Sequence, residues 1–254
     1  MLDALNQLAI KNGILTAFVF VGIVMAAAHG ISARLTQGRI HGSAIAIGLG
    51  LFVGWLGGVF TGGNNGIADI TLFSGVALLG GTMFRDFAII ATAYGASLVS
   101  IRQAGLVGAF SVVLGVVLSF SVGALVAIMF GYRDPIAVTT IGAGAATYIV
   151  GPVTGTALGA GSDVIALSVA AGLVKSVLVM VGTPFVAAYI GLNNPKSAMI
   201  YGGLMGTTSG VAGGLAATDA RLVPYGAMTA TFYTGVGCLL APSLLFFSVK
   251  VLLG

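Results

Sequence analysis

Residues 134–163 limit what this chain can become. They read DPIAVTTIGAGAATYIVGPVTGTALGAGSD, apolar enough for a bilayer but poorly suited to one continuous helix. Gly142, Gly144, Gly151, Gly155, Gly159, Gly161 and Pro152 interrupt the run. A glycine costs about 1 kcal/mol and a proline about 3 kcal/mol in a helix interior. Thr139, Thr140, Thr147, Thr154 and Thr156 place hydroxyls among the breakers. In hydrocarbon every freed backbone N–H and C=O needs a partner, so irregular backbone persists only where protein or a water-filled cavity surrounds it. When such a segment recurs within a chain, it points to a transporter's binding site.

The pattern recurs sixty residues on, at 194–219, as NPKSAMIYGGLMGTTSGVAGGLAATD. An Asx-Pro pair opens each stretch (Asp134-Pro135, Asn194-Pro195). Gly142 then matches Gly202, and Thr147 matches Thr207. A long apolar segment follows each stretch and carries a proline after a small residue (Thr183-Pro184, Ala241-Pro242). An internal repeat of about 134–191 and 194–251 follows from this, within one integral membrane transport domain covering 1–254. The glycine ladders, Gly202 to Gly214 and Gly151 to Gly159, have two readings. They are small faces that let intact helices approach closely, or breaks near Gly151-Pro152 and Thr207–Gly210 in two stretches that pack on each other.

Composition sets the class. Only 6% of residues are charged, against about 25% in soluble domains. The chain is therefore expected to be an all-α polytopic membrane protein. The net charge of +4 rests on ten cations, most of them near segment ends, which reads as topology rather than a nucleic-acid footprint. Asp3 and the polar Asn6-Gln7 precede the first apolar run where a signal peptide would be basic, so that run is expected to be the first span. With roughly 20 helical residues per crossing, the segments are 13–33, 42–60, 70–84, 87–101, 105–131, 136–160, 164–190, 197–218 and 223–253. If 70–101 crosses twice, six cations share a side against three; if once, the split is four and four. The positive-inside rule then favours about nine membrane segments, two of them Gly-rich broken helices. It places the N-terminus outside, the C-terminus inside, and the loop 34–41 in the cytoplasm. This scheme needs both broken stretches to cross fully.

Lys175 is the most informative charge. It falls near the middle of its span, where a cation costs at least about 2.5–3.5 kcal/mol and marks a pathway or a pair. It reads as a counter-ion for an anionic substrate, or as half of an ion pair, or as a snorkelling side chain. Arg85-Asp86 and Arg133-Asp134 read as interfacial pairs, and Asp219 with Arg221 as a cap or gate. Asn64 and Asn65 lie in TGGNNG, read equally as a surface turn or a pore-lining loop. Two isolated histidines and no glutamate make no metal site. No nucleophile–base set or Walker motif is present, so no enzyme activity is expected.

These features carry a resemblance. Over nearly its full length, including YRDPIAVTTIGAGAATYIVGPVTGTALG and GGLMGTTSGVAGGLAATDARLVPYG, the chain resembles the larger, M-type subunit of the two-subunit malonate transporter. From about Leu78 onward it is more loosely similar to LrgB-type proteins and plastid glycolate/glycerate transporters, whose Asp-Pro-Ile-Ala is echoed at 134–137 and 194–197. The histidine common in their Ser/Thr cluster is Thr or Gly here. The resemblance implies cation-coupled (Na+ or H+) secondary transport of malonate across the cell (inner) membrane, with a smaller L-type membrane subunit as partner. The expected substrate ligands are Thr147, Thr207, Thr208, Ser209, Lys175, Asn64 and Asn65. No cofactor is expected beyond Na+ as a coupling ion. The alternative is a non-transporting holin-like or scaffold subunit.

Overall fold

A computed structural model describes residues 2–37, 42–63, 66–79 and 98–254. Among the described residues every regular element is helical, and five helices are long and apolar enough to cross a bilayer. The chain is an all-α membrane protein. Its residues divide into two compact units, 1–91 and 92–254.

In the first unit, α1 (Leu2–Lys11) leads through Asn12 into α2 (Gly13–Leu35), which packs on α3 (Gly42–Thr61). Short 3₁₀ turns (Gly66–Asp69, Thr71–Phe73) and α4 (Gly75–Leu79) follow. This tail folds back on α2: the Phe73 ring lies 5.0 Å from that of Phe20, and the Gly75 backbone rests on the Gly13 carbonyl. Asn64, Asn65 and the pair Arg85-Asp86 lie outside the described residues. So do residues 80–97, which hold most of the two short spans in the nine-segment scheme.

The second unit begins with α5 (Leu98–Met129), broken at Gly105, whose φ of 60° suits only glycine without strain. Then come α6 (Pro135–Ala146), α7 (Val150–Leu158), α8 (Ser162–Val186), α9 (Pro195–Met205) and α10 (Thr208–Ala216). After a 3₁₀ turn (Ala220–Leu222), α11 (Val223–Leu240) continues through a π turn (Ala241–Leu245) into α12 (Phe246–Leu253). Pro242 sits in that π turn, a common way for a helix to absorb a missing N–H.

The Asx-Pro pairs start α6 and α9 for a physical reason. Asp134 accepts a hydrogen bond from the Ala137 N–H, and Asn194 forms a reciprocal capping box with Ser197. Proline at the first helical position loses no bond there.

Both Gly-rich stretches are broken. The first break falls at Thr147, whose backbone is extended (φ −153°, ψ 154°), not at Gly151-Pro152. Pro152 lies in the first turn of α7, where its missing N–H is harmless. The Thr147 hydroxyl instead accepts from the N–H groups of Ile149 and Val150 and starts the new helix. The second break falls at Gly206 (φ 72°) and Thr207, whose hydroxyl accepts from the Gly210 N–H.

Neither stretch runs on through its break; each doubles back. A Cβ on Gly151 would lie 2.8 Å from the Gly144 Cα, and one on Gly155 would lie 2.8 Å from the Thr140 Cγ2. In a straight helix residues 140 and 155 would stand about 22 Å apart at 1.5 Å per residue. On the other side, Thr183 touches both partners of the second pair: its hydroxyl bonds Tyr201 of α9, and its side chain fills the space beside Gly214 of α10. The two stretches are helical hairpins, α6–α7 and α9–α10.

Contacts along α8 order the hairpins. Ile165 and Ser168 meet Gly155, Gly144 and Gly151 of the first hairpin, and Gly172 meets Tyr148 at its tip. One turn later Ser176 and Val179 meet Gly210, Met180 meets Gly213, and Thr183 meets Gly214 of the second. The hairpins therefore lie tip toward tip along α8 rather than side by side. α11 passes them in the opposite order: Gly226 against Ala198 and Leu215, Tyr233 under Gly206, then Gly237 against Val150. α8 and α11 consequently run antiparallel, and α5 follows the direction of α11, from Ser111 beside Gly203 to Gly123 beside Ala145.

In a Cys238→Ala background, the pair Thr140→Cys and Gly155→Cys should form an intramolecular disulfide under mild oxidation, because these positions meet the short Cβ separation a bridge needs. Free-thiol titration with a mass measurement checks it; two unreacted thiols would mean the stretch runs straight. Gly172→Val should destabilise the fold by about 3 kcal/mol or more, since its Cβ would lie 2.2 Å from the Tyr148 backbone nitrogen. A thermal melt in detergent reads this directly.

Candidate functional site

The hairpin lengths set where their tips lie. α6 has 12 residues and α9 has 11, so each arm reaches about 16–18 Å, roughly half a hydrocarbon core of about 30 Å. Lys175 sits near the middle of the 25-residue α8, at the level where the tips meet. Its ammonium donates to the Ala146 carbonyl (2.8 Å), the Ser119 hydroxyl (2.9 Å) and the Tyr233 hydroxyl (3.2 Å). The next residue, Ser176, shares a hydrogen bond with the Thr207 hydroxyl at the second tip. Two consecutive residues of α8 thus tie one tip each.

Each partner of Lys175 is placed by the fold. Ala146 ends α6, and the Val150 N–H that would bond its carbonyl in a continuing helix goes to Thr147 instead. The break thereby leaves an acceptor free for the ammonium. Tyr233 is fully buried; its hydroxyl donates to the Gly115 carbonyl, and its ring fills the space where a Gly206 side chain would stand. Ser119 comes from α5. Among the described residues no carboxylate pairs with Lys175; Arg221 pairs with Asp219 at 2.8 Å. There Asp219 caps the turn after the second hairpin, and the Arg221 side-chain hydrogen bond holds its carboxyl below the ordinary range.

A cavity of about 470 Å³ opens beside the ammonium, lined by Leu118, Ser119, Val122, Ala145, Lys175, Leu204 and Met205. It draws on α5, on α8 and on the last turns of α6 and α9. Its size lies within the usual range of small-molecule sites, about 300–1,000 Å³. Two half-helix N-termini, those of α7 and α10, and two half-helix C-termini, those of α6 and α9, belong to the breaks around it. The former favour anions and the latter favour cations.

Lys175 lines this cavity, while Thr147, Thr207, Thr208 and Ser209 belong to the tips next to it. The hydroxyls of Thr147 and Thr207 are already engaged as helix caps. That of Ser209 is buried with no hydrogen-bond partner, as are those of Thr139 and Thr154. Sequence reasoning missed Ser119, Ser176 and Tyr233. A signal for Tyr233 existed: it follows Lys175 by fifty-eight residues, as Pro242 follows Pro184. Nothing local distinguishes Ser119. No cluster of three or more His, Cys, Asp or Glu able to hold a metal occurs among the described residues.

No curated protein and no solved structure matches the chain. A family model does: the malonate/sodium symporter MadM subunit matches residues 5–253. Nothing in that match supports the holin-like or scaffold alternative. A midplane ammonium beside a cavity, at the meeting of two hairpin tips, fits an anion transporter, and the chain belongs to the family of MadM subunits of malonate/sodium symporters.

Proposed function

We propose that the cavity at Lys175 binds malonate, and that this chain couples the movement of that dianion to sodium across the inner cell membrane, together with a smaller membrane subunit. The observation that carries the reading is the Lys175 ammonium, met only by neutral oxygens among the described residues and facing a cavity. A buried charge without a counter-charge is costly, and an incoming carboxylate relieves that cost. Malonate has two carboxylates on one carbon. One meets Lys175, and the other meets the N-terminal turn of α10, where the Ser209 hydroxyl is free and Thr208 is adjacent. Thr207 and Thr147 shape the tips that present these groups. Asn64 and Asn65, outside the described residues, stand as further candidates. The repeat 134–191 and 194–251 forms the transport core, and the chain carries nine membrane elements, two of them re-entrant.

Uptake of labelled malonate into proteoliposomes containing this chain and its partner subunit tests the reading. A sodium gradient should drive accumulation; uptake indifferent to sodium would remove the coupling.

Lys175→Met should weaken malonate binding about 10- to 150-fold, since a charge-assisted hydrogen bond is worth about 1.5–3 kcal/mol. Thermal stability should change little, because the cost of burying the charge disappears as well. Equilibrium binding to the purified complex measures it, and wild-type affinity would make Lys175 structural.

Thr207→Val should lower stability by about 0.5–2 kcal/mol through loss of the α10 cap, and malonate affinity with it. Ser209→Ala spares the cap, so it should lower affinity about five-fold or more with an unchanged melting temperature. Wild-type affinity in Ser209→Ala would exclude the α10 tip from the site.

A further inference from the structure

The Lys175 ammonium fills an oxygen cage. A protonated amine has three N–H donors and no acceptor, and here three oxygens receive them. The Tyr233 hydroxyl gives its own proton to the Gly115 carbonyl, so its oxygen is an acceptor toward Lys175. The Ala146 carbonyl is the open C-terminal end of a half-helix, the negative pole of that dipole. Every ligand is a neutral oxygen, the donor type that hard cations prefer. The cage also spans both hairpins. Ala146 belongs to the first tip, and Tyr233 carries the Gly206 backbone of the second.

We infer that this cage is the sodium position of the loaded transporter, and that Lys175 occupies it in the empty state as a tethered stand-in for the ion. The inference rests on the malonate reading above. A carboxylate entering the adjoining cavity attracts the ammonium away from Ala146 and Tyr233. Sodium then takes the vacated oxygens, and a substrate carboxylate oxygen adds to its shell, which needs more than three ligands. Charge accounts for the order of events. Malonate is doubly negative, the ammonium supplies one positive charge, and one sodium ion supplies the other. The filled site is neutral, whereas sodium entering beside a seated ammonium would place two cations together without an anion. Sodium binding therefore depends on substrate, which is the coupling a symporter requires.

The test is equilibrium binding of radiolabelled sodium to the purified full-length complex, with and without malonate. The wild-type protein should bind sodium at least tenfold more tightly with malonate present. Lys175→Met empties the cage, so without malonate it should bind sodium at least tenfold more tightly than wild type does. Adding Tyr233→Phe, or separately Ser119→Ala, to Lys175→Met removes one ligand and should weaken that binding severalfold. Size-exclusion profiles and melting temperatures show that each variant is folded, and two ligand variants guard against one failing to fold. Equal sodium affinity in wild type and Lys175→Met without malonate would overturn the inference while leaving malonate binding intact. Sodium binding in Lys175→Met that ignores both ligand substitutions would place the ion elsewhere. Absence of malonate binding in the wild type would remove the underlying reading, and this one with it.

Discussion

The second unit is organised around a single unfavourable act, the burial of an ammonium at the middle of an apolar fold. Its cost is offset only where enough oxygens can be brought to one point. A continuous helix has no free oxygen at its middle, because each carbonyl is bonded four residues on. Breaking α6 at Ala146 frees one. Doubling the chain back then keeps the two half-helices short enough to end near mid-depth, where the lysine is. The glycines follow from that choice. Gly144, Gly151 and Gly172 let the hairpin close on itself and on α8 at distances that no side chain would allow.

The same geometry explains why the tips hold hydroxyls. A half-helix starting inside the protein has unbonded N–H groups with no water to meet them. Thr147 and Thr207 meet those needs from within the chain. Their hydroxyls are thus spent on the fold first. In the proposed reading, recognition then falls to groups the caps leave over: the lysine, the Ser209 hydroxyl and the remaining N–H groups of α10.

Much of this was legible in the sequence. The clash between apolar composition and helix breakers located both hairpins, the Asx-Pro pairs located their starts, and the midplane charge located Lys175. What composition could not give was direction. A Gly-rich stretch that crosses and one that returns share the same residues, and only the pairing of Gly155 with Thr140 separates them. The consequence reaches the topology. The six-to-three cation split assumes that both stretches cross. With hairpins that return, Lys196 changes sides, and the split becomes five against four, which no longer orients the chain. The break position was also displaced, because proline reads as a breaker although it is harmless in a first turn. Ser119 and Tyr233 escaped notice for another reason: their role comes from α5 and α11 arriving at one lysine, a long-range fact with no local pattern.

The spacing of Lys175 and Tyr233 carries one more implication. Matching close contacts recur fifty-eight residues apart, so that Gly202 answers Gly144 rather than Gly142: Gly144 rests on the Ser168 carbonyl, and Gly202 on the Gly226 carbonyl. On that register the proposed repeat makes Tyr233 the counterpart of Lys175, and α11 the antiparallel counterpart of α8. Counterparts in such an arrangement meet each other where the two repeats cross, and here Lys175 and Tyr233 do, ammonium to hydroxyl. A lysine at both places would set two ammonium groups face to face in a low-dielectric interior, where like charges repel strongly. A tyrosine brings the complementary partner, with an oxygen to accept and a ring whose centroid lies 5.0 Å from the ammonium. The two halves can share a contact at their crossing point only by differing there. That one difference gives the site a single positive charge, and in the proposed reading a doubly charged anion brings a second cation with it.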